Sequence, residues 1–214
     1  MPDKMDYKKE YKDLYQPKQT PMLIDVPPIP MFLVDGAGDP NETGGAYQRA
    51  MDALYSVTFT LKMSKMGSWQ PEGYFDYVLP PLEGFWRRAD GHPDLMGAPK
   101  STWLWTSGLR APEYCTPEVF RWALDACRKK KPEVDLSKLR LETVTEGLCV
   151  QCLHVGPYES EAATMAKMQA FREAQGLADG HSPARRHHEI YLGDPRKTPP
   201  EKWRTVLRSP VERR

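Results

Sequence analysis

Two stretches of this chain pass through the same order of elements, and that repetition limits the fold more than any single motif does. In the first, Pro30-Met31-Phe32-Leu33-Val34 reads as a short apolar strand, stopped by the glycine and aspartate cluster at 35–41. Ala46, Ala50, Leu54, Val57 and Leu61 then recur at helical spacing and predict an amphipathic helix over 45–66, with Tyr47 and Tyr55 beside the stripe. Two strands follow, at 74–79 and 101–106, and the Pro80-Pro81 pair makes the earlier one an edge or a strand end. In the second stretch 148–155 is a strand, and Gly156-Pro157 turns into a helix lined by Ala162, Met165, Met168 and Phe171 and stopped at Gly176. Strands at 187–192 and 204–208 complete it. Strand, helix, strand, strand therefore occurs twice.

Two such units side by side predict an α+β fold: pseudo-duplicated β-α-β-β modules, antiparallel sheets with helices on one side, and a central ligand cleft between the halves on the other. The expected boundaries are an N-terminal arm over 1–28 and one domain over 29–214, in halves of about 29–135 and 136–214. Tyr7, Tyr11, Leu14 and Tyr15 are spaced as on a helix face, so the arm either packs through them or frays. Thr116 and Pro117 cap and open a further helix that buries Phe120, Ala123, Leu124 and Cys127. Residues 138–145 and 148–155, joined at Glu146-Gly147, read as a hairpin. A polar loop is expected over 87–100.

The strand His187-His188-Glu189-Ile190-Tyr191-Leu192 carries the most chemistry. With a period of two, His188, Ile190 and Leu192 share a face that wants a core, while His187, Glu189 and Tyr191 share the other. That second face looks either into water or into a pocket, and the duplicated order supplies a cleft for it. His187 and His188 are read as hydrogen-bonded or surface residues, and Asp194-Pro195-Arg196 as a turn locked by an ion pair.

Composition removes several classes of function. Lys and Arg total 30 against 29 Asp and Glu, so no global field draws the chain to nucleic acid or to an anionic membrane. No apolar run approaches the roughly 20 residues of a membrane span, and the charged start of the chain lacks a secretory pattern. The cytoplasm is the expected compartment. Cys149-Val150-Gln151-Cys152 is a CxxC by spelling, but on a strand its thiols point to opposite faces, so both are read as core residues and no metal or cofactor is expected. The glycine cluster at 35–41 matches no phosphate-binding pattern and reads as a turn.

Long motifs carry a family likeness: Pro80-Pro81-Leu82-Glu83-Gly84-Phe85-Trp86, Glu146-Gly147-Leu148-Cys149-Val150-Gln151, His154-Val155-Gly156-Pro157-Tyr158, His187 through Lys197, and Glu201-Lys202-Trp203-Arg204-Thr205-Val206-Leu207-Arg208. Over nearly its whole length the chain resembles the stand-alone GyrI-like small-molecule-binding proteins. The resemblance implies a pseudo-duplicated fold around an aromatic cavity, with a carboxylate at Glu189 that meets cationic aromatic ligands in related effector domains. One stand-alone subfamily, the cyclopropanoid cyclopropyl hydrolases, opens the cyclopropane of cyclopropapyrroloindole alkylating agents. Where that pattern has a tryptophan pair after Glu83-Gly84-Phe85, this chain has Trp86-Arg87, so one wall differs.

The candidate catalytic residues are Glu189, to deprotonate a water, and Tyr191, to donate toward the developing phenolate, with Tyr77 and Tyr158 as other donors. Trp86, Trp103, Trp105 and Tyr55 are expected to stack on a flat ligand. Glu83 is a second acid for the site or a structural acceptor in the Pro-Pro turn. The rival reading is a non-catalytic protein that sequesters cationic drugs, with Glu189 as counter-charge. The partner in both is a small aromatic molecule, with no nucleic acid or membrane and an open oligomeric state.

Overall fold

The computed structural model describes residues 4–91 and 97–214. The part of the expected polar loop at 92–96 lies outside them. In chain order the main elements are α1 (Tyr7–Glu10), α2 (Lys12–Tyr15), β1 (Met22–Val26), β2 (Ile29–Ala37), α3 (Ala46–Lys62), β3 (Leu82–Arg88), β4 (Trp103–Arg110), α4 (Pro117–Lys130), β5 (Arg140–Val144), β6 (Gly147–Val155), α5 (Glu161–Ala174), β7 (Leu177–Asp179), β8 (His187–Tyr191) and β9 (Arg204–Arg213). Eight strands form one path, β1-β6-β9-β8-β3-β4-β2-β5, with β7 paired to β9, and every ladder is antiparallel. This is the expected α+β fold, and the repeat is explicit in it. β2-α3-β3-β4 and β6-α5-β8-β9 are the two modules, and they meet where β3 pairs with β8.

Four features differ from the sequence reading. First, β5 and β6 are not a hairpin: β5 pairs with β2, while β6 pairs with β1 and β9. Gly147, at φ 64°, redirects the chain between them, so each module lends its leading strand to the edge of the other. Second, residues 74–79 are not a strand, since only Tyr77 bridges to Met5, and the strand proper starts at Leu82 after the two prolines. Third, β9 continues through Pro210 to Arg213, because Pro210 sits near the end of the ladder, where one missing donor is tolerated. Fourth, the last segment of the N-terminal arm, β1, is an edge strand of the sheet, paired with β6.

Partners directly across an antiparallel ladder share a face, so the register assigns both faces. One carries Glu189, Tyr191, Trp86, Trp105, Phe32, Leu207 and Cys152. All three long helices pack on it. Phe120 of α4 stacks on Phe32 at 5.5 Å, Tyr47 of α3 on Trp86 at 5.7 Å, and Met168 of α5 joins Val150, Cys152 and Leu207. Ala53, Leu54, Val57 and Leu61 bury the inner face of α3, each larger one contributing about 1.5–3 kcal/mol. The other face carries His188, Glu83, Arg110, Arg208 and Gln151 and is closed by the arm. Arg110 lies 4.5 Å from the Tyr7 ring and 4.0 Å from the Tyr11 ring, the Tyr15 hydroxyl reaches Glu83 at 3.2 Å, and Arg208 donates to the Leu14 carbonyl at 2.9 Å. The Glu189 face is thus the helix-bearing one rather than a bare side of the sheet. Cys149 and Cys152 are buried free thiols in separate cores, as alternation requires.

Candidate functional site

The seam between the modules places β8 at mid-sheet, with α3 above one side and α5 above the other. Glu189 faces Gly84 across this seam. A side chain at Gly84 would meet the Trp86 indole nitrogen at 2.6 Å and the Tyr191 hydroxyl at 3.1 Å, so the glycine leaves room for both groups. The Trp86 Nε1–H donates to the Tyr191 hydroxyl at 3.1 Å, and that hydroxyl donates to Glu189 Oε2 at 2.8 Å. His187 Nε2 lies 3.2 Å from Oε1, so both carboxylate oxygens are held. Burial, with the Glu189 charge added, pushes the Tyr191 phenol well above its ordinary range. Its proton is committed to Glu189.

Aromatic rings surround this chain of bonds. Tyr47 stacks on Trp86 and meets Trp105 edge-on at 5.0 Å, and Trp103 meets Trp86 edge-on at 5.6 Å. The Trp105 ring lies over Gly36, where a Cβ would come within 2.0 Å of the indole. On the α5 side, Tyr158 packs on Trp203 at 4.7 Å and edge-on to Tyr191 at 5.8 Å. Burial and then Glu189 raise the Tyr158 phenol to about 12. These last three rings border an open pocket of about 240 Å³ with Leu192, Pro195, Thr198 and Lys202. Drug-sized ligands occupy pockets of about 300–1,000 Å³, so a large flat ligand requires the stacked rings to part.

Two of the residues expected at the site lie elsewhere. Glu83 is on the opposite face, 2 % exposed, where it accepts from Tyr15 and approaches His188 Nε2 at 3.0 Å without hydrogen-bond alignment. With Glu146 and Arg208 it forms a buried ion cluster: His188 Nδ1 to Glu146 is 3.0 Å and Arg208 to Glu146 is 2.9 Å. The face read as simply apolar therefore holds a charged core, and Glu83 is structural. Tyr77, fully buried, donates to the Thr58 carbonyl at 3.0 Å beside Tyr7 and Phe75, at the C-terminal end of α3. Its ring is core rather than cleft wall.

The remaining residues converge. Glu189, Tyr191, Trp86, Trp103, Trp105 and Tyr158 form one contact network, and Tyr55, 38 % exposed on α3, feels the charges of Asp194 and Arg196 in the loop after β8. That loop is held by the expected Asp194–Arg196 pair at 2.9 Å. Sequence reasoning did not select Tyr47, Trp203 or Glu161. Tyr47 was visible only as an aromatic beside a helix stripe, and Trp203 as a tryptophan after a polar turn. Glu161, 6 % exposed, reads in sequence as an ordinary first-turn acid. Among the described residues no group of three His, Cys, Asp or Glu could hold a metal ion, and no helix is long and apolar enough to cross a membrane.

A carboxylate fixed among stacked rings, on a duplicated α+β sheet, defines a small-molecule-binding domain. A family model described as the GyrI-like small molecule binding domain matches residues 122–212. The chain is 49 % identical to an uncharacterized conserved protein from Listeria innocua, whose structure superposes with a TM-score of 0.92 over 98 % of this chain and 100 % of that one. It is 47 % identical to a structure described as a hydrolase from Listeria innocua, with a TM-score of 0.88 and the same coverage. The chain belongs to the same family as these two Listeria proteins. The C-terminal domain of EcmrR shares the fold alone, at 12 % identity and a TM-score of 0.53 over 91 % of this chain and 98 % of that domain. Among curated proteins, no match is found.

Proposed function

We propose that the cleft binds flat aromatic xenobiotics and hydrolyses the cyclopropane ring of cyclopropapyrroloindole-type alkylating agents, protecting the cell that makes the protein. The observation that carries this reading is Glu189: one carboxylate, fixed by Tyr191 and His187, in the only seam where both modules bring aromatic rings together among the described residues. The 47 % identity to a structure described as a hydrolase supports a catalytic rather than a passive role.

In such a compound the cyclopropane is conjugated to a dienone. Glu189 takes a proton from water as the water oxygen bonds to the exposed ring carbon; the carbon–carbon bond breaks and its electron pair travels to the carbonyl oxygen, which becomes a phenolate. Tyr191 is better placed to hold the Glu189 carboxylate than to protonate that oxygen, because its hydroxyl already donates to Glu189. Trp86, Trp103, Trp105, Tyr47, Tyr55 and Tyr158 supply the faces against which the ligand lies.

The second reading, sequestration of cationic drugs without chemistry, is favoured by the same pairing of carboxylate and ring faces, where each cation–π contact is worth about 0.5–2 kcal/mol. Incubation with a cyclopropapyrroloindole, followed by chromatography, separates the two. A ring-opened water adduct supports hydrolysis, whereas no adduct together with quenching of tryptophan fluorescence by a cationic dye supports sequestration.

A further inference from the structure

The β3–β8 ladder closes with Trp86 opposite His187, so one step further along the same register Arg87 stands opposite Arg186. Alternation puts this arginine pair on the face of Phe85, His188 and Thr106, away from Glu189. Two contacts of Arg186 agree: its guanidinium lies 5.9 Å from the Phe85 ring, and Nη1 donates to Thr106 Oγ1 at 2.6 Å. Like charges directly opposite each other across an antiparallel pair are destabilising. The nearby acids are committed elsewhere. Asp35 accepts from the Thr106 hydroxyl, and Arg140 takes up both Asp35, at 2.9 Å, and Glu142, at 2.7 Å. No acidic side chain among the described residues pairs with Arg87 or Arg186. The Arg186 Nε is buried without a partner, and Arg87 is exposed.

We propose that Arg87 and Arg186 form a binding site for a phosphate group, on the face of the sheet opposite the aromatic cleft. An anion between the two guanidiniums turns one repulsive pair into two attractive ones, and guanidinium forks bind oxyanions bidentately. A single fork satisfies both oxygens of a carboxylate. A phosphate group has acceptors for two forks and carries about 1.5–2 negative charges at neutral pH, which suits a cluster where Arg87, Arg140 and Arg186 outnumber Asp35 and Glu142. Thr106, itself bonded to Asp35, already holds the inner guanidinium, so less freedom is lost when the anion arrives. The ligand is free phosphate or a small phosphate ester. The site stands independently of any hydrolysis by Glu189.

The experiment is calorimetric titration of wild type, Arg87→Gln and Arg186→Gln with inorganic phosphate, phenyl phosphate and acetate, at low ionic strength where exposed charges are least screened. Wild type should bind phosphate at one site and acetate about tenfold or more weakly. Each variant should lose about tenfold or more in phosphate affinity, while Arg121→Gln, which removes an exposed arginine paired with Glu118 on α4, should match wild type. Tighter binding of phenyl phosphate than of inorganic phosphate identifies an ester as the ligand, and the reverse order the free ion. Melting gives an independent sign: without phosphate Arg87→Gln, relieved of repulsion, should melt no lower than wild type, and phosphate should raise the melting temperature of wild type but not of Arg87→Gln. No phosphate binding by wild type, unchanged affinity in folded Arg87→Gln, an equal loss in Arg121→Gln, or acetate bound as tightly as phosphate each overturns the site. Should Arg186→Gln fail to fold, the exposed Arg87 variant decides alone.

Discussion

The Tyr191 hydroxyl donates to Glu189, two residues away on its own strand, at 2.8 Å, and receives the Trp86 indole N–H at 3.1 Å. This small relay couples the middle of the sheet to the aromatic cluster. Tyr191→Phe leaves both partners short of a bond. A hydrogen bond to a charged group is worth about 1.5–3 kcal/mol, and urea unfolding should report a loss of that size. A loss under half a kcal/mol, on the order of an ordinary surface change, would mean the relay does not form.

Gly84 is the position where a minimal change should be felt. Gly84→Ala drives a methyl group toward the Trp86 indole and the Tyr191 hydroxyl. Overpacking of this kind costs about 1–3 kcal/mol, and the near-ultraviolet circular dichroism of the tryptophans should change with it. An unchanged spectrum and melting temperature would show that the indole does not sit over this glycine.

The buried cluster of His188, Glu83, Glu146 and Arg208 predicts a stability profile with two flanks. Burial opposes the Glu146 charge, but His188 and Arg208 overcome it and hold its pKa down to about 2, against an ordinary 4.5. Its contribution is present above the ordinary value and is lost as pH falls toward 2. Burial likewise opposes charge on His188, yet Glu146 and Glu83 raise it above its ordinary 6.5. That contribution is full below 6.5 and is lost as pH rises through the raised value. Denaturant unfolding across pH should therefore fall away on both sides of a mildly acidic maximum, and His188→Gln should remove the alkaline decline. A variant retaining that decline would assign it to another group.

The arm is held to the sheet by Arg110 between the rings of Tyr7 and Tyr11. Tyr11→Ala should cost about 0.5–2 kcal/mol in cation–π energy and speed proteolysis within the first twenty residues. Unaltered cleavage kinetics would place the arm's attachment elsewhere, at Tyr15 or Leu14.

Much of this was legible in the sequence because it is local. Helical spacing located α3, Thr116-Pro117 set the start of α4, and alternation put Glu189 and Tyr191 on one face of β8 and Trp103 and Trp105 on one face of β4. What escaped depends on partners far along the chain. The Glu146-Gly147 turn looks like a hairpin until β2 and β9 claim the two strands it joins. Glu83 looks like a site acid until the register turns it to the face where Tyr15 and His188 await it. Glu161 looks like an exposed helix-opening acid, yet it is buried with one carboxyl oxygen unpartnered.

The central claim is that Glu189 is the functional acid of the cleft, and Glu189→Gln tests it most directly. The substitution keeps the shape and an acceptor for Tyr191 but cannot take a proton from water. With the fold verified by melting, the variant should give no ring-opened product from a cyclopropapyrroloindole under conditions in which wild type converts it. Equal turnover by the folded variant would contradict the account.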